Sequence, residues 1–208
     1  MPSTTLISDP ITTHVFRLLA DSLDLIQIQP KQALLLAHGL ESDLPVLVDA
    51  LCERYPQTQV TVLSDTLDTL DLSLEPYDII IAPLLNPDLC LHEDPSLSPG
   101  ASTELLFYLL NQLLAPEGVI LLSCVSTISN AHAHANAHAH ANMGIDLITL
   151  GNLLFNSGFR DPVVDRDYFP EHEAEIIQGQ AWGSLQKHLS RPDESGNIYF
   201  TADQLQIL

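Results

Sequence analysis

Apolar residues along this chain fall into two alternating patterns, short continuous runs and helically spaced stripes. Residues 33 to 36, Ala-Leu-Leu-Leu, form a run that suits a central parallel strand buried on both faces, with His38-Gly39 supplying a bend after it. Ser42 or Asp43 then caps a helix with Pro45 in its first turn, and Leu44, Leu47, Val48, Leu51 and Tyr55 make its buried stripe. Pro56-Gln57-Thr58 is the loop into a second strand over 60 to 64, which completes a right-handed crossover unit. Upstream, Asp9-Pro10 starts an opening helix in which Ile11, Val15, Leu18 and Leu19 share one face, and residues 24 to 29 lead through Pro30 into the first strand.

The alternation continues downstream with one irregularity. A strand is predicted over 78 to 82, but the connection before it, 65 to 77, holds scattered acids and leucines without a helical stripe and is too short for a full strand and helix. Residues 83 to 100, rich in proline and acids, read as an exposed loop. A leucine-rich helix follows over 101 to 114, closed by Ala115-Pro-Glu-Gly118, and then a buried strand over 119 to 124. A helix over 146 to 157 stopped by Gly158, a strand over 162 to 167 and a last strand over 175 to 182 complete the pattern. The expected fold class is therefore α/β, a doubly wound and mostly parallel sheet forming a single domain over 1–208.

Composition narrows the partners. The 208 residues are 46% hydrophobic, enough for one sizeable core, while 27 acids against 7 bases give a net charge of −20. That charge repels nucleic acid, anionic membranes and acidic carrier proteins, and the basic residues are too scattered to announce a local patch. Cys52, Cys90 and Cys124 are widely spaced in or near apolar stretches and read as buried thiols of a reducing compartment. The first residues show no secretory signal and no apolar run is long enough to span a bilayer, so a cytoplasmic location is expected.

Two stretches carry candidate chemistry. Ala131-His-Ala-His-Ala-Asn136 repeats at once as residues 137 to 142. His132, His134, His138 and His140 could hold a divalent transition metal whether the segment is extended or helical, or form a passive exposed loop, since no Cys, Asp or Glu lies within the repeat. The turn after the first strand is the other. In sheets of this kind it is where a nucleotide-like cofactor sits, because glycines admit the backbone to the ligand and a helix N-terminus follows. Here only Gly39 is present, with Ala37 and Glu41 at flanking positions where glycines would be wanted.

Several stretches bring a resemblance into view. Residues 25 to 34 and 54 to 63 look like the approaches to the first two strands of class I S-adenosylmethionine-dependent methyltransferases, and 113 to 123 like the approach to and body of the fifth. Ile145-Asp-Leu-Ile-Thr-Leu-Gly-Asn-Leu-Leu-Phe-Asn-Ser-Gly-Phe-Arg-Asp-Pro-Val-Val-Asp165, with Ile176-Ile-Gln-Gly-Gln-Ala-Trp-Gly183, resembles the late helix and strands of malonyl-carrier-protein O-methyltransferases of biotin synthesis. The resemblance implies a Rossmann-like methyltransferase fold and an S-adenosylmethionine site at Ala37, Gly39, Glu41, Ser64 and Asp65. It also shows where this chain departs. The family's acid-x-Gly-x-Gly-x-Gly pattern falls on Leu35, Ala37, Gly39 and Glu41, and its ribose-binding acid falls on Ser64, with Asp65 one step displaced. The family's third strand, an edge strand, and the helix before it are missing between Ser64 and Tyr77, and a segment between the last two strands is shortened.

Three functions are compatible with these residues. The first is a non-catalytic methyltransferase-like protein acting by binding a protein partner, an active homologue or a second copy, through a leucine-rich helix or the edge left open by the missing strand. The second is a methyltransferase with an altered donor loop, and the third is metal binding by the histidine repeat.

Overall fold

The computed structural model describes residues 10–24, 26–37, 44–64, 75–85, 99–127, 145–172, 174–184, 190–192 and 198–200. Helix α1 (Pro10–Leu23) opens on its proline, and its buried side chains, Val15, Phe16, Leu19 and Leu23 among them, face the sheet. Strand β1 (Gln32–Leu36) is buried from Ala33 onward, as expected of a central strand. Helix α2 (Leu44–Arg54) buries Leu44, Leu47 and Leu51, and Tyr55 just beyond it donates its hydroxyl to the carbonyls of Leu23 and Ile26, fastening the end of α1. Strand β2 (Gln59–Leu63) is only half covered.

Strand β3 (Tyr77–Ala82), helix α3 (Pro99–Leu113) and strand β4 (Leu114–Thr127) follow. The residues expected to form a turn, 115 to 118, instead sit inside β4 as an irregularity: Leu114 pairs with Tyr77, the next pair is Val119 with Ile79, and the extra residues loop out between them. Helix α4 (Leu147–Asn156) is capped by Asp146, whose Oδ1 accepts from the Thr149 N–H at 2.7 Å. It stops at Gly158, which takes φ +83, while the Gly158 and Phe159 amides donate back to Phe155 and Leu154 and Phe159 packs into the core. Strands β5 (Arg160–Phe169) and β6 (Ala174–Trp182) are joined by a single 3-10 turn, the short connection the sequence implied. A separate pair, β7 (Ser190–Pro192) and β8 (Ile198–Phe200), is antiparallel.

The main sheet has the order β2-β1-β3-β4-β6-β5, parallel from β2 to β4, with β6 antiparallel to both neighbours. Alternate residues of the central strands enter two cores. Leu34, Ile80 and Leu122 meet α3 and α4 on one face, while Ala33, Leu35, Ile79 and Leu121 meet α1 and α2 on the other. This is a Rossmann-like α/β fold in three layers. No described helix is long and apolar enough to cross a membrane.

One expectation is corrected. Cys52 is exposed, because position 52 falls on the outer side of α2, whereas Cys124 is buried in β4 and its thiol pushed up to about 12 by burial. In the leucine-rich helix α3, Leu106, Leu110 and Leu113 are buried, and Leu105 and Leu109 are half-buried.

Candidate functional site

In an open α/β sheet the crevice that can take a ligand lies beyond the carboxyl ends of the strands, where the connections part to opposite sides. Here that point lies between β1, whose chain departs toward β2, and β3, whose chain departs toward β4. On the β1 side the chain runs into Ala37, fully buried, whose amide donates to the Leu63 carbonyl at 2.8 Å and so prolongs pairing with β2 by one residue. On the β3 side Pro83 and Leu84 form a turn with Leu84 at φ 50, a left-handed conformation that a leucine adopts only when its surroundings impose it. Fully buried Ser123 of β4 imposes it. Its hydroxyl accepts from the Leu84 amide at 3.0 Å and its carbonyl from the Leu85 amide at 2.8 Å.

The residues singled out for a donor site divide sharply. Leu35 stands where the resemblance calls for an acid, and it is fully buried in the core between the sheet and helices α1 and α2. Ser64, where a ribose-binding acid is called for, is exposed at the carboxyl end of β2. Gly39, Glu41 and Asp65 lie outside the described residues, as do His38 and the histidines His132, His134, His138 and His140. Among the described residues no group of His, Cys, Asp and Glu is placed to hold a metal. At its two acid positions the chain thus offers a buried leucine and an exposed hydroxyl, neither of which carries the negative charge the resemblance calls for.

Sequence reasoning missed the best-defined polar cluster of the described residues. His14 on α1 hydrogen-bonds Asp167 on β5 through Nε2 and Oδ2 at 2.7 Å, and its ring stacks on Phe169 with centroids 4.8 Å apart. Arg17 Nη2 donates to His14 Nδ1 at 3.0 Å. Because a guanidinium can only donate, Nδ1 must accept, and the proton of the ring must reside on Nε2, donated to Asp167. Both ring nitrogens are therefore engaged and neither can take a proton from a substrate in this arrangement. The pair braces α1 against β5. Its partners are 153 residues apart, so no local spacing could have announced them.

The fold carries a comparison with known proteins. Solved structures similar in fold to this chain are methyltransferases. Phosphoethanolamine N-methyltransferase 2 of Haemonchus contortus, in complex with S-adenosyl-L-methionine, is 10% identical with a TM-score of 0.54 over 81% of this chain and 52% of its own. The 1,6-didemethyltoxoflavin-N1-methyltransferase of Burkholderia thailandensis, with bound S-adenosylhomocysteine, is 16% identical with a TM-score of 0.53 over 85% and 80%. N-methyltransferase NodS of Bradyrhizobium japonicum is 10% identical with a TM-score of 0.50 over 86% and 99%. Several of the similar structures are much longer, the chain spanning 58%, 61% and 52% of three of them. No family model matches the chain, and no curated protein matches its sequence. The class defined is thus a methyltransferase fold, at identities that speak for architecture alone.

Proposed function

We propose that this chain is a degenerate methyltransferase-like protein, of the malonyl-carrier-protein O-methyltransferase type, that acts by binding a protein partner and not by methyl transfer. The observation that carries this reading is the fate of the two acid positions: Leu35 is sealed in the core and Ser64 is a solvent-facing hydroxyl. Each charge-assisted hydrogen bond lost from a donor site costs about 1.5 to 3 kcal/mol. Losing both weakens binding by about two to four orders of magnitude. Charge supports the same reading, since a net −20 opposes approach of an acidic carrier protein. Calorimetry of the purified chain with S-adenosylmethionine and with S-adenosylhomocysteine tests it. No saturable heat below about millimolar ligand is expected, and micromolar binding of either overturns it.

A second reading has one observation in its favour. The turn after β3 is held in a strained conformation by a buried serine at the switch point, where an active methyltransferase of altered donor loop would need a rigid wall. Incubation with methyl-labelled S-adenosylmethionine and a malonyl-carrier protein separates the two, because label in the malonyl ester appears only under the second reading.

A further inference from the structure

Among the described residues the main sheet has two edges, β5 and β2, and only β5 carries devices against further pairing. At β5 the strand contains Pro162, which has no N–H, beside Asp161 at φ 48 and a break in register between Arg160 and Val163. The Arg166 amide is already taken by Asp165 Oδ1 at 2.8 Å. These are devices that keep another strand from pairing. Strand β2, Gln-Val-Thr-Val-Leu, has no proline, no charge and no break in its register with β1.

The direction of its backbone groups follows from two bonds. The Gln59 amide donates to the Lys31 carbonyl and the Leu63 carbonyl accepts from the Ala37 amide, both at 2.8 Å and both toward β1. Successive residues of a strand alternate, so Gln59, Thr61 and Leu63 address β1 while the N–H and C=O groups of Val60 and Val62 point away from it. Among the described residues nothing pairs with them. On this strand Val62 is 42% exposed.

We propose that the β2 edge accepts an extended segment of a basic partner protein as one more strand of the sheet. The proposal rests on the binding-protein reading above and names where the partner docks. Main-chain hydrogen bonds to Val60 and Val62 supply the pairing, and exposed Val62 supplies an apolar contact for a side chain of the added strand. The occupant must be basic because the chain carries −20 and exposes Asp49 and Glu53 on neighbouring α2. Lysines or arginines flanking the strand gain from that field, whereas a second copy of this chain meets repulsion.

The test is a titration of the full chain, with no S-adenosylmethionine present, against a labelled peptide of alternating valine and threonine flanked by lysines, followed by fluorescence anisotropy. Companion peptides carry glutamate in place of lysine, or methyl groups on the backbone nitrogens that face the edge. The basic peptide is expected to bind, to weaken at least about tenfold as salt rises from low to physiological strength, and to lose binding on N-methylation. Val62→Pro removes an outward N–H without breaking a bond to β1 and is expected to cost more than about tenfold in affinity. Equal binding of the methylated peptide, or of the acidic one, overturns the proposal without any protein variant. A dimer in sedimentation that Val62→Pro dissociates overturns it in favour of a second copy. Failure of the peptide with silent cofactor calorimetry removes the docking edge alone, whereas micromolar cofactor binding removes the reading it rests on.

Discussion

The two ends of this sheet present the same kind of hydrogen-bonding row to solvent and treat it in opposite ways. At β5 a proline, a left-handed aspartate and a carboxylate folded onto its neighbour's amide break up the row, and His14 of α1 braces the strand from the side. At β2 a short uncharged strand pairs in register with β1 and, among the described residues, is paired with nothing on its outer side. Edge protection has no part in holding a core together, so its presence at β5 is a feature of the border itself, and its lack in β2 is what the proposed docking of a partner strand builds on.

Hydrogen exchange gives the largest expected effect. The Thr61 amide, directed into β1, should exchange about a thousandfold more slowly than the Val62 amide, directed outward. Equal protection measured by NMR would mean that the outer side of β2 is already paired.

Undoing the defence of the other edge comes next. Pro162→Val combined with Asp165→Val restores an N–H and frees the Arg166 amide, which should turn β5 into a second open edge. Light scattering should then show more association than the unaltered chain shows at the same concentration. Unchanged scattering would show that the register break alone defends β5.

The brace is smaller. His14→Ala removes a hydrogen bond to half-exposed Asp167 and a stacked ring, and urea unfolding should show a loss of about 1 to 2 kcal/mol. Asp167→Asn should lose less, because an amide oxygen still accepts from Nε2.

Asp146 has the smallest expected effect. The Thr149 amide, and then the Thr149 side chain, hold its carboxyl below the usual carboxylate range. A depressed folded pKa adds stability above the unfolded value and loses it as pH falls through the folded one. Asp146→Asn should therefore lower Tm slightly at neutral pH and flatten the acid side of the pH profile, while leaving peptide binding at β2 unchanged. A profile parallel to that of the unaltered chain would show that the cap does not titrate with folding.

Most of the architecture was legible in the chain because its signals are local. The continuous run ending at Leu36 reads as a buried strand from its own composition, and the stripe from Leu44 to Tyr55 reads as a helix from its own period. Gly158 ends α4 because only a residue free to take a left-handed conformation closes that turn. Strand β4 extended further than expected because pairing of Leu114 with Tyr77 is a contact between distant residues, invisible in the tetrapeptide that loops out beside it.

The site was legible only as a departure. Leu35 and Ser64 could be seen to lack the acids that the resemblance calls for, and that alone was enough to question the donor site. Tertiary structure decided the rest: that Leu35 is walled into the core, that Ser123 holds the turn after β3, that His14 meets Asp167 across 153 residues, and that one sheet edge is guarded while, among the described residues, nothing covers the other. Periodicity and caps act within a few residues and are written where they act. Which strand ends up at the border, and which side chains then meet, depends on the order in which the strands assemble, and no local stretch of sequence encodes that order.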